Sequence, residues 1–236
     1  MKRPGRGFGL VELLIALALS LIVVLGVVQI FIAAKNTYAA QSAASTMQED
    51  GRFVLSKMIQ ELRMVGMFGC LGTITEDSSA KDFSASQQTP ISWNNARREL
   101  TLVTADVGNA GAVPMWTVIS DCRTDATAYS GARAPVTGQL AFPIRRLIYR
   151  FNNNQLLIGG TSGSPMQVLV DHVGAFEVSF GLASSATDVA VSSYSDNPSN
   201  PARIRSVRLS LTLFDPNRKV ADQTFNVVAA LRNRLP

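Results

Sequence analysis

Residues 8–34 read FGLVELLIALALSLIVVLGVVQIFIAA, an apolar run with a single charged side chain, Glu12. As a helix it extends about 40 Å at 1.5 Å per residue, against a hydrocarbon core of about 30 Å. A secretory signal core is much shorter, about 7–15 residues, and ends at a small-residue cleavage site. Only the alanines after Phe31 offer such a site here. Lys2, Arg3 and Arg6 precede the run, which predicts an N-terminus kept in the cytoplasm, a single pass, and a head on the other side of the membrane.

Glu12 does not fit a plain anchor. An ionisable group inside an apolar span is costly and marks a functional position by default. The alternative is a carboxylate that snorkels to the nearby aqueous face or is simply protonated.

Beyond the run, residues 35–63 contain no proline and are rich in Ala, Gln, Met and Glu. Leu55, Met58, Ile59, Leu62 and Val65 recur at spacings of three and four, one apolar face. Gly51 weakens this helix by up to about 1 kcal/mol without stopping it. The pattern predicts one helix of about 55 residues, apolar all round in its first half and amphipathic in its second.

From Gly66 the composition shifts to Gly, Ser, Asn and Pro between short β-rich runs. Residues 73–93 read as a polar loop. Strands are expected at 100–103, 115–119, 147–151, 155–158, 166–170, 175–182, 206–214 and 223–231. Asn152-Asn153-Asn154 supplies a hairpin turn. Val207, Leu209, Leu211 and Leu213 alternate with polar residues, the period of a half-buried strand. One helix followed by consecutive strands defines an α+β class, with an antiparallel sheet packed on the amphipathic half-helix.

The two cysteines, Cys70 and Cys122, fit one disulfide in an oxidising compartment; two buried free thiols are the alternative. The net charge of +5 rests on 22 basic and 17 acidic residues. Without Lys2, Arg3 and Arg6 it falls to +2, weak grounds for a nucleic-acid partner. Arg145, Arg146 and Arg150 alternate with Tyr149 and Phe151, a pattern that suits an anionic strand. Solvated strand faces explain them, and Arg203, Arg205 and Arg208, more simply.

Catalytic and metal patterns find little. His172 is the only histidine, and Gly160-Thr161-Ser162-Gly163-Ser164 reads as a turn, not a nucleophile elbow. One His and two distant Cys do not make a zinc set. Asp77, Asp82, Asp106, Asp188 and Asp196 fall in no calcium-loop spacing. The expectation is a protein with no catalytic step, no cofactor and no metal.

A short basic leader ending in Gly7, then Phe8, then Glu12 at the fifth position of a long apolar helix resembles the type IV prepilin signal. That resemblance implies cleavage after Gly7 by a prepilin peptidase, methylation of the new terminus at Phe8, and a role for Glu12 in assembly. It divides the chain into a leader at 1–7, an apolar half-helix at 8–34, an amphipathic half at 35–66 and a β-rich head at 67–236. Major subunits of that family often carry a proline well into the apolar segment; this chain has none between Pro4 and Pro90, and Gln29 sits near that place.

Further patches resemble PilW-type minor pilins: FGCLG at 68–72, Asp121-Cys122, LVDHVGAFEVSFG at 169–181, RIRSVRLSLTLF at 203–214 and the ending VVAALRNRLP. The implied partners are other minor pilins, the major pilin, the prepilin peptidase and the inner membrane, with the mature chain ending in a surface pilus. The J-type pseudopilin of type II secretion shares the same plan. A pilus-tip module binding DNA or a surface is a further alternative.

Overall fold

The helical pattern that begins in the apolar run persists to Met64. The computed structural model describes residues 9–106, 113–160 and 165–234. Its first element is helix α1, Leu10–Met64, 55 residues long. Every residue from Leu10 to Tyr38 is exposed, whereas Met47, Val54, Leu55, Met58 and Leu62 are buried. The 3–4 spacing therefore marks the face on which the head sits. A fully buried side chain of this kind contributes about 1.5–3 kcal/mol.

The strands are β1 (Thr75–Glu76), β2 (Ile91–Asn94), β3 (Glu99–Ala105), β4 (Trp116–Ser120), β5 (Ala126–Ser130) and β6 (Leu140–Asn152), followed by β7 (Gln155–Gly159), β8 (Gln167–Val170), β9 (Val173–Ala183), β10 (Val191–Ser195), β11 (Ile204–Leu213) and β12 (Gln223–Ala230). The α+β class holds, but the described residues form two sheets where one was expected. Eight strands run in the order β1-β5-β4-β6-β3-β2, with β7 on β6 and β8 on β7; the other four run β10-β9-β11-β12. All pairs are antiparallel except β1 with β5. The 13-residue β6 serves β3 on one side, and β4 then β7 on the other.

The stretch 73–93 is not a loop. It holds β1, the short helix α2 (Phe83–Gln88) and β2. Its polar composition conceals one anchor, Phe83, which is fully buried against Phe68 and Trp116 in edge-on contacts at 5.6 and 5.8 Å. Glu76 supplies the missing cap, because its carboxylate accepts from the backbone N–H of Phe83 and Ser84 and from the hydroxyls of Ser84 and Ser78. Those bonds, from the Ser84 and Ser78 hydroxyls first, lower its pKa to about 2.

Two cores result. The larger joins the buried face of α1 to the inner faces of β9 and β11 and to Leu100, Leu102, Tyr149 and Leu156. The smaller gathers Phe68, Phe83, Trp116, Val118 and Ile144. Gly51 lies where α1 meets β12: a Cβ there would come within 2.7 Å of the Phe225 ring. The residue that weakens the helix is the one that lets the sheet approach.

Candidate assembly site

The first turn of α1 leaves N–H groups without helical partners. Gly9 precedes it in an extended conformation, and Glu12 reaches back to accept the Gly9 N–H at 3.4 Å. Among the described residues that weak bond is the only one its carboxylate makes. Gly7 and Phe8, the expected cleavage and methylation positions, lie outside the described residues. Ser20 in the apolar half donates to the Leu17 carbonyl at 2.8 Å, and Thr37, just past it, to that of Ala33 at 3.0 Å. Length and composition make this helix able to cross a membrane.

A second carboxylate on the same helix has a different environment. Glu61 is buried, paired with Lys57 at 2.8 Å, and accepts the phenol of Tyr149. Burial first, then the Glu61 charge, pushes the Tyr149 pKa well above the usual phenol range, so the tyrosine stays a donor. Nothing in the spacing of Glu61 announced this; the i,i+4 pair with Lys57 was the one available signal.

Cys70 and Cys122 form a disulfide with Cα atoms 5.4 Å apart, closing 52 residues of sequence. Asp121 builds the turn that presents Cys122: its carboxylate accepts the N–H groups of Arg123, Thr124 and Asp125, each at 2.9 Å. These bonds, led by that of Asp125, hold its pKa well below the usual carboxylate range. Cys122 itself takes φ 56°.

Five of the six arginines are not solvated strand faces. Arg150 holds Glu99 through two nitrogens at 2.9 and 2.6 Å. Arg145 Nε lies 3.2 Å from Asp106, an ion pair off the hydrogen-bonding direction. Arg146 donates to Ser86 at 2.9 Å and lies over Trp116. Arg203 donates to the Ala183 carbonyl at 2.7 Å, and buried Arg205 to the carbonyls of Ala186, Asp188, Ala202 and Ile204. Only Arg208 is exposed on its strand, and it stacks on Tyr194.

His172 joins β8 to β9 with φ 57°, edge-on to Phe214 at 5.7 Å. Its neighbour Asp171 accepts from Gln155 at 2.6 Å. Among the described residues no three His, Cys, Asp or Glu side chains gather into a group that could hold a metal. Residues 161–164 of the Gly160–Ser164 string lie outside the described residues.

Residues 2–28 match the family described as the prokaryotic N-terminal methylation motif. The match covers Gly7, Phe8 and Glu12, and it supports a type IV pilin-like protein. Proteins carrying that motif are structural subunits, anchored through the N-terminal helix, processed by prepilin peptidase and assembled with other pilins. The match is to the motif alone and stops inside the apolar half-helix. No curated protein matches the chain.

Proposed function

We propose that this chain is a PilW-type minor pilin, cut after Gly7, methylated at Phe8, and carried from the inner membrane into a type IV pilus with other minor pilins and the major pilin. The carrying observation is Glu12: a carboxylate in an apolar helix, within the motif match, with one weak bond among the described residues. Cleavage places a cationic terminus on Phe8, four residues away. Pairing Glu12 of one subunit with the Phe8 amine of the next neutralises both charges and admits one axial offset. At about 4 Å and an effective dielectric near 20, the Coulomb term is about 4 kcal/mol before desolvation is subtracted. The uncovered apolar stretch 10–34 suits the same transfer, from lipid neighbours to helical ones.

The test is mass spectrometry of the mature chain together with Glu12→Val. The expected results are a terminus at methylated Phe8, and a mutant that inserts in the membrane yet is absent from sheared fibres. A terminus at Met1 or beyond Ala34, or normal recovery of the mutant in fibres, overturns the reading. The methylation motif equally fits a J-type pseudopilin. Under that reading, deletion abolishes export of secreted enzymes and leaves surface fibres intact. A DNA-binding tip is less favoured, since five of the six arginines, all but Arg208, have hydrogen-bond or ion-pair partners within the chain.

A further inference from the structure

Strand β9 is covered along its whole length by β11 on one side, but only in part on the other. At its start, Asn154 closes the edge, accepting the Val173 N–H at 2.8 Å and donating from its side chain to the Val173 carbonyl at 3.1 Å. At its far end β10 takes over, with Ser195 opposite Phe180. Between them, among the described residues, no strand pairs with Gly174–Ser179 on that side.

The gap has a cause in the sequence. Continued along β9, β10 would lay residues 196–201 beside it. The chain instead meets Asn197-Pro198, where proline offers no N–H and restricts the residue before it. The Asn197 N–H turns back to the Ser195 hydroxyl at 3.2 Å, and the strand ends.

What remains is a cleft of about 730 Å³ between this edge and the turn after β2, walled by Trp93, Asn95, Arg98 and Asp196. Trp93 is held edge-on to Phe176 at 6.0 Å. Residues on one face of a strand direct their N–H and C=O to the same edge. Val173, buried, directs its pair to Asn154; Phe176 and Val178, buried on the same face, therefore direct theirs into the cleft. Six residues span about 20 Å, the length of an ordinary strand. Glu177 and Asp196 against Arg98 and Arg208 leave the lining balanced in charge, so the selective chemistry is that of the main chain.

We propose that the open edge of β9 from Gly174 to Ser179 is an acceptor for an extended segment of a partner protein chain, which adds there as a strand. The segment alternates in polarity, with apolar side chains toward Trp93 and Phe176 and polar ones toward Glu177 and Arg208. This deepens the filament reading by stating how a neighbouring subunit is engaged, and rests on that reading for the neighbour.

The test places a photo-crosslinking benzoylphenylalanine at Asn95 of the full chain in its native cells, with Thr224 on the outer face of β12 as control. Adducts are mapped by mass spectrometry. Amide exchange of Phe176 and Val178 is then compared between the crosslinked assembly and the full chain in detergent micelles. The expected result is an adduct from position 95 on a partner stretch of alternating polarity, with both amides exchanging at least tenfold more slowly. Adduct yield no greater than from position 224, or unchanged exchange at Phe176 and Val178, overturns the proposal. Because adducts are read in whole cells, failure of the filament reading shows separately, as absence of the chain from sheared fibres.

Discussion

Helix α1 carries two carboxylates in apolar surroundings, and their difference separates its two halves. Glu61 is surrounded by its own chain, with Lys57 and Tyr149 in place. Glu12 has, among the described residues, only the Gly9 N–H. A buried charge must be matched; the head matches the first internally, and the second finds no such match among the described residues. The amphipathic half is thus finished on folding; under the proposed function the apolar half is finished on assembly.

The sharpest test of that contrast is a crossed pair of mutants. Glu12→Val removes the chain from sheared fibres, a loss of tenfold or more, and leaves the melting temperature of the head unchanged. Glu61→Val lowers that temperature without altering membrane insertion. Equal effects of the two on head stability would erase the distinction.

Next in size is the disulfide. Cys70→Ser with Cys122→Ser costs the head about 4 kcal/mol in the chain-entropy model, measured by denaturant unfolding. Tyr149→Phe strips one partner from Glu61 and costs about 1–3 kcal/mol. A smaller effect contrasts the glycines of the two halves. Gly51→Ala gains about 1 kcal/mol of helix propensity but drives a Cβ into Phe225, for a net loss of about 1 kcal/mol. Gly26→Ala meets nothing within 4 Å and leaves head stability unchanged.

The smallest effect is in pH. The Glu76 pKa is lowered from 4.5 to about 2 on folding, so its contribution is complete above 4.5 and is lost as pH falls toward 2. Thermal unfolding of Glu76→Gln against the parent therefore shows a difference that closes across that window. A constant difference would remove Glu76 as the cause.

How much of this was legible follows the same division. The helix was readable because 3–4 spacing persists after the apolar run, and Glu12 because a lone charge in such a run has no routine explanation. Strand β11 announced itself by alternation. Strands β5 and β10, ATAYS and VSSYS, did not, because short polar strands are fixed by the partners they pair with. The arginines were misread for a related reason: Asp106, Glu99 and Ser86 lie 39 to 60 residues away in sequence from the side chains they engage. The loop assigned to 73–93 failed on Phe83, one aromatic residue whose burial organises a second core.

The bridge between Cys70 and Cys122 has a mechanical consequence. Cys70 follows the helix exit closely, and Cys122 lies just beyond the end of β4. Tension applied along the helix reaches the eight-stranded sheet through a covalent bond, and the residues between the cysteines are bypassed. In single-molecule pulling, reduction would release about 180 Å of hidden contour, at about 3.5 Å for each of the 52 residues. With the bond intact, α2, β2 and β3 are shielded from the pull, whatever force the helix transmits.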